Sequence, residues 1–144
     1  MAKYRFSLEK VLDWRSEAEE QAQLKVHELT EEKKQEEIKL ERLLNENLKL
    51  KSARIFDGKV EEMRQQNLYS ELMDQKIIQQ KLIVNQMEAK VEEAKQELLE
   101  VHKEKKVLEK LKEKEQASFM DHEKKIEQNQ LDEMAVLHFG RSIY

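Results

Sequence analysis

Residues 73–108 read MDQKIIQQKLIVNQMEAKVEEAKQELLEVHKEKKVL. Apolar side chains recur here at alternating intervals of three and four residues, which is the spacing of a seam where one helix packs along another. The seam positions are Met73, Ile77, Gln80, Val84, Met87, Val91, Ala94, Leu98, Val101, Lys105 and Leu108. The stretch therefore predicts a long helix with one packed edge.

The first half of the chain carries the same spacing with more polar interruptions. Its seam positions are Leu8, Leu12, Arg15, Glu19, Ala22, Val26, Leu29, Lys33, Glu36, Leu40, Leu43, Asn47 and Leu50. Two seams in one chain predict two helices that each need a packing partner, and each helix can supply it for the other.

Helix breakers are almost absent from the sequence. The chain has no proline, and its two glycines are Gly58 and Gly140. Proline breaks helices, and glycine weakens or ends them. We predict one all-α domain over residues 1–144, with helix one at about 7–56, a turn at about 57–58 and helix two at about 59–139. A single uninterrupted helix through Gly58 is the alternative.

A chain folded back at Gly58 becomes an antiparallel coiled-coil hairpin in which the two seams match. Two layers are polar on both sides, Glu36 with Gln80 and Asn47 with Ser70. A slip of one heptad also aligns the seams, so the register is open. The apolar layers are Leu8/Leu108, Ala22/Ala94, Val26/Val91, Leu29/Met87, Leu40/Ile77 and Leu43/Met73.

The two helices differ in length, so the C-terminal part of helix two is expected to project beyond helix one from Glu113 onward. Ser7 is the expected N-cap of helix one, because its hydroxyl can accept a bond from a free backbone amide. Gly140 is expected to end helix two, directly after its last residue. An apolar face on a projecting helix predicts a binding partner.

Composition argues against an enzyme. Charged residues make up 40% of the chain, and mean hydropathy is -0.93. So little apolar surface does not build a compact core around a pocket. We therefore expect no catalytic residues, no cofactor and no small-molecule substrate.

Metal and nucleic-acid sites are not expected either. The chain has no cysteine, which excludes thiolate sites and disulfides. His27 and His122 each begin a zinc-helix motif, but Glu31 and Ile126 stand where the second histidine is required. The lysine pairs lie among glutamates and form no evident basic stripe.

The sequence also has no signal peptide and no apolar run long enough for a membrane span. We expect a cytoplasmic protein.

Each end of the chain carries a short sequence motif. Residues 4–15 read YRFSLEKVLDWR, with Glu19 following, and residues 108–114 and 127–135 read LEKLKEK and EQNQLDEMA. The opening is similar to the Phe-x-Leu-x-x-Val/Leu-Leu-x-x-Arg pattern of the flagellar export protein FliJ family, and the two later segments resemble the Glu-x-Leu-Lys-Glu and Leu-Asp-Glu-x-Ala segments of that family. The two ends lie at the right separation, so the resemblance covers essentially the whole chain.

The resemblance implies a non-enzymatic stalk of the flagellar type III export apparatus. Its partners would be the export ATPase hexamer, the cytoplasmic domain of the export gate and export chaperones. Such a protein would be peripheral at the inner face of the cell membrane and would reach the membrane only through its partners.

Two surfaces follow from this resemblance. The joined ends of the helices are the candidate ATPase surface, which we call the end surface: Phe6, Leu8, Leu12, Arg15, Leu111, Leu131, Asp132 and Glu133. Helix two also carries apolar residues near the turn that its seam does not use. They are the candidate gate or chaperone surface, which we call the near-turn patch: Leu68, Leu72, Ile78, Leu82 and Ile83.

Two other identities fit the same pattern. One is the stalk of a virulence-type III secretion system, which shares the architecture. The other is a structural coiled coil that forms a parallel homodimer. The near-turn patch could equally serve self-association.

Overall fold

Two long helices make up the fold. The structure, a computed structural model, describes residues 3–52 and 60–143, with side chains placed up to Gly140. Helix α1 covers Glu9–Ser52 and helix α2 covers Val60–Ile143. Within the described residues there is no strand, which confirms the all-α class. Neither helix holds an apolar stretch that could cross a lipid bilayer.

Helix α1 begins later than the sequence predicts. Its first i to i+4 bond runs from the Leu12 amide to the Leu8 carbonyl, at 2.9 Å. The Ser7 hydroxyl donates to Glu115 Oε2 instead, at 3.1 Å. Ser7 as N-cap was therefore wrong, because the N-cap is the residue whose carbonyl accepts the first bond of the helix, and that residue is Leu8.

Two further boundaries were predicted, the end of helix two and the turn between the helices. Helix α2 continues through Gly140 to Ile143. One glycine inside a helix costs only about 1 kcal/mol relative to alanine, and the helical residues on either side can compensate for this cost. The turn predicted at Asp57-Gly58 lies outside the described residues.

Contacts divide the chain into two compact units. Unit 1 comprises Met1–Glu19 with Val101–Tyr144, and unit 2 comprises Glu20–Glu100. In unit 1, ion pairs between the two helices join Glu9 to Lys112, Arg15 to Glu104, and Glu19 to Lys105. In unit 2, Lys25 pairs with Glu97 and Gln80 bonds to Glu36. The single hairpin over 1–144 stays a prediction.

Burial follows the two predicted seams closely. Every seam position from Leu12 to Leu50 and from Met73 to Leu108 is buried or half-buried, whereas most residues between them are exposed. On α2 the same spacing continues at Lys112, Glu115 and Phe119. The apolar residues that are most deeply buried are Phe6, Leu12, Met73, Ile77, Met87, Val91 and Ala94.

The overhang of α2 expected from Glu113 onward is partly covered. In unit 1 the segment before α1 reaches α2 beyond that point, where the Tyr4 ring contacts the Phe119 ring with centroids 5.5 Å apart and planes tilted by 52°. Side chains at positions 124–139 are all exposed. The N-terminal segment therefore covers part of the face that we expected to be bare.

Candidate functional site

The N-terminal segment binds to α2 through a cluster of polar contacts in unit 1, formed by Tyr4, Glu9 and Lys112. The Tyr4 hydroxyl donates to the Lys112 carbonyl at 3.2 Å, and Lys112 Nζ lies 3.1 Å from Glu9 Oε2. Burial raises the pKa of Tyr4, and the nearby charge of Glu115 raises it further. Sequence reasoning missed this cluster, because its contacts join residues more than 100 positions apart.

A shielded carboxylate occupies the seam of unit 1. Glu19 Oε1 lies 3.3 Å from His102 Nδ1, and Glu19 Oε2 lies 3.3 Å from Lys105 Nζ without hydrogen-bond geometry. Burial raises the pKa of Glu19, but the contacts with His102 and Lys105 outweigh it, and the pKa ends below its usual value. Glu19 is therefore held ionised inside the seam.

A second polar layer lies in unit 2. Buried Gln80 donates through Nε2 to Glu36 Oε2 at 2.6 Å and to the Glu36 carbonyl at 3.0 Å. The bond from Gln80 lowers the pKa of Glu36, and Lys39 contributes in the same direction. This is one of the two layers that the sequence analysis described as polar on both sides, and its two polar side chains bond to each other.

The end surface contains both buried and exposed residues. Phe6 and Leu12 are only 6% and 8% exposed, so they pack inside unit 1. Leu8, Leu111 and Leu131 are exposed and accessible to another molecule.

Two charged residues of the end surface, Arg15 and Asp132, have partners within the chain. Arg15 forms an ion pair with Glu104, and its guanidinium carbon lies 5.0 Å from the centre of the Trp14 ring. Asp132 accepts a bond from Gln128, one turn earlier, at 3.4 Å. Asp132 and Glu133 line a shallow depression together with Val136 and Leu137.

The structure brings only part of the end surface together. Residues 6–15 lie against α2 in its 104–119 region. Leu131 follows Leu111 by a helical run of about 30 Å, at 1.5 Å per residue. Leu131, Asp132 and Glu133 therefore form a separate patch on the same helix.

The near-turn patch lies in unit 2 and faces solvent. Leu68, Leu72, Ile78, Leu82 and Ile83 are all exposed, and Ile78 is the most accessible at 67%. On α1, Leu44 and Leu48 are also exposed and were missed. They lie just before the predicted turn, so the apolar surface of this region involves both helices.

Comparison with known families decides the classification. The model of the flagellar FliJ protein family matches residues 4–143. The chain belongs to the FliJ family. No curated protein and no solved structure gave a significant match.

The FliJ match includes all thirteen residues of the end surface and the near-turn patch, because its range contains both. Within the described residues, no group of three acidic or histidine side chains could hold a metal ion. The chemistry that these surfaces offer is that of protein contact: exposed leucine and isoleucine with a few carboxylates.

Proposed function

We propose that this FliJ-family chain is a non-enzymatic stalk of the flagellar type III protein export apparatus. The family match over residues 4–143 carries this proposal. In the proposal the chain binds the export ATPase hexamer and the cytoplasmic domain of the export gate, and it assists the cycling of export chaperones. It has no catalytic site and requires no cofactor.

The proposed architecture is an antiparallel coiled-coil hairpin with a projecting C-terminal helix. Within each unit, higher residue numbers on α1 meet lower numbers on α2, and the seams are the shielded edges of both helices. The exposed side chains at 124–139 are consistent with a projecting end. Helices of this kind are stiff and can transmit a displacement between two partners.

We assign the end surface to the ATPase. Exposed Leu8, Leu111 and Leu131 would make direct contacts, together with Asp132 and Glu133. Buried Phe6 and Leu12 would stabilise the packing of unit 1 and so keep the exposed residues in position. Arg15, already paired with Glu104, would position its neighbours or exchange partners on binding.

We assign the near-turn patch to the gate or to chaperones. Its five exposed aliphatic residues form a larger apolar surface than a solitary helix pair needs. Location at the inner face of the cell membrane follows from the partners in this proposal.

The two alternatives receive less support. The matched family is the flagellar one, which favours the flagellar system over a virulence-type system. The contacts of each unit join α1 and α2 of one chain, which favours a hairpin over a parallel homodimer.

A double-dissociation binding experiment tests the assignment. The end variant carries L131A, D132A and E133A, and the patch variant carries L68A, L72A and L82A. Each is titrated against purified export ATPase and against the cytoplasmic domain of the gate. The end variant should bind the ATPase at least about tenfold more weakly and stimulate its hydrolysis less, because contact residues near the centre of an interface dominate its affinity.

Each variant serves as the control for the other. The end variant should keep its affinity for the gate, and the patch variant its affinity for the ATPase. If wild-type protein bound neither partner, the proposed function would be wrong. If both variants lost both partners equally, the assignment of the surfaces would be wrong.

A further inference from the structure

Four lysines form a continuous stripe on the outer side of α2 in unit 1. They follow each other at intervals of three or four residues, and all are exposed. At about 100° per residue they fall within a sector of about 80°. The seam positions Val101, Lys105 and Leu108 lie on the opposite side of the helix. We call this set the lysine stripe: Lys103, Lys106, Lys110 and Lys114.

The sequence alone did not reveal this stripe, since glutamates are interspersed with the lysines. Once the side of α2 that packs on α1 is known, the lysines divide into those that face α1 and those that point away from it. Lys105 and Lys112 face α1 and pair with Glu19 and Glu9. The lysine stripe points away from α1.

The stripe is a row of four like charges. Among the described residues, no ion pair joins any of its four lysines to a carboxylate, whereas the inward lysines are paired. Like charges three or four residues apart on a helix repel each other. Carboxylates of a bound partner would relieve this repulsion.

The borders of the stripe restrict the kind of partner. Glu100, Glu113 and Asp121 flank it and are exposed. A broad polyanion, such as a lipid surface or a nucleic acid, would meet these carboxylates as well as the lysines and be repelled by them. A partner with a single narrow row of carboxylates can contact the lysines without coming close to these flanking acidic residues.

We propose that the lysine stripe docks an acidic α-helix of a protein partner, whose carboxylates recur at the same intervals of three and four residues. Parallel or antiparallel helices with this spacing can align four ion pairs without bending. The inference does not rest on the proposed function, because the stripe shares no residue with the end surface or the near-turn patch.

An NMR titration tests this docking. The probe is a synthetic helical peptide, rich in alanine, with four glutamates at positions i, i+3, i+7 and i+11. The protein is the full chain labelled with ¹⁵N, at about 20 mM salt, where screening of exposed charges is weak. Shifted amides should map to residues 103–114. The variant K103Q/K106Q/K110Q/K114Q should bind at least about fivefold more weakly, because its four ion pairs are lost.

The chain offers a matched control on the same helix. The variant K76Q/K81Q/K90Q/K95Q removes four exposed lysines that are scattered around α2 in unit 2. Its affinity should change less than about twofold, because these charges lie away from the stripe. Circular dichroism verifies that both variants remain helical.

Several results would overturn the proposal. One is the absence of binding by wild-type protein. Another is an equal loss of affinity in both variants, or equal affinity for a peptide of the same composition with scrambled glutamates. Tighter binding to vesicles containing phosphatidylglycerol, or to a duplex DNA oligonucleotide, would identify a broad polyanion as the partner instead.

Discussion

Glu19 occupies a position where an apolar side chain would ordinarily pack. Its carboxylate stays ionised because His102 and Lys105 lie beside it. A polar residue in a seam costs stability compared with a leucine, but it disfavours every register in which its partners are lost. A one-heptad slip would replace His102 and Lys105 by Lys95 and Leu98 or by Glu109 and Lys112, so only the observed alignment gives Glu19 two basic partners, and the cluster favours it in unit 1.

Acid should therefore weaken the contribution of Glu19. The pKa of Glu19 is lower in the folded protein than its ordinary value, so ionisation favours the folded state. This contribution is complete above the ordinary glutamate pKa of about 4.3 and is lost as the pH falls through the lowered folded pKa. At pH 7, E19Q should reduce the free energy of unfolding by about 1 kcal/mol. Urea unfolding at pH 7 and pH 3 measures it.

The neighbouring glutamate provides the control. Glu20 is exposed, and E20Q should have almost no effect at either pH. The difference between wild type and E19Q should become smaller as the pH is lowered from 7 to 3, because the carboxylate of Glu19 is progressively protonated. A difference that did not change with pH would indicate a packing effect rather than lost charge.

Individual side-chain roles were the hardest features to read from the sequence. Glu19 was recognised as a seam position, but its partners were not, because several lysines and histidines could have reached it. Ser7 carried a capping signal, yet its hydroxyl bonds to Glu115, 108 positions away. A capping motif predicts hydrogen bonds to residues that are close in sequence. It contains no information about a carboxylate that is distant in sequence.

At the scale of the elements, register decides which residues of α1 and α2 meet. In unit 2 the Gln80 bonds to Glu36 fix one layer of the alignment. The same alignment places Ala22 near Ala94, and Ala94 is the most buried residue of the core at 2% exposure. Two small side chains in one layer would let the helices approach closely.

Cysteine pairs can measure this register, since the chain has no cysteine of its own. The variant A22C/A94C should form an intramolecular disulfide readily under mild oxidation, because a disulfide needs Cα atoms within about 7 Å. The variant A22C/M87C represents a slip of one heptad and should form it slowly. Mass spectrometry of the oxidised monomer compares the two. Faster linkage of residues 22 and 87 would contradict the alignment.

The helices themselves were largely predictable. A chain without proline, with a spacing of three and four residues sustained over many turns, has few alternatives to long helices. The seam positions were also predictable, because one shielded edge per helix follows from that spacing. The lysine stripe was not, since its recognition requires knowing which way each lysine faces.

At the scale of the whole molecule, the two ends of the chain contribute unequally to stability. Tyr4, Phe6 and Ser7 have partners or are buried in unit 1. In contrast, residues 124–139 of α2 are exposed. Exposed helical residues add little to the free energy of unfolding, because most helix stability comes from packing of an apolar face.

Two truncations should therefore behave differently. Removing residues 124–144 should change the midpoint of thermal unfolding by less than about 3 °C, because the side chains at 124–139 are exposed. Removing residues 1–8 should lower it by at least about 5 °C, because the contacts of Tyr4, Phe6 and Ser7 disappear. Circular dichroism melting compares them. A larger loss from the C-terminal truncation would show that this end packs against something in the folded protein.

The thinness of the packed seam has a thermodynamic consequence. Within the described parts of the chain, no large side chain is less than 2% exposed. Unfolding therefore hydrates less new apolar surface per residue than it does in a globular domain, where the heat capacity rises by about 12–15 cal/mol/K per residue. A smaller heat-capacity increment flattens the dependence of stability on temperature. The helices should thus lose stability only gradually on cooling, and cold denaturation should lie far below the freezing point of water.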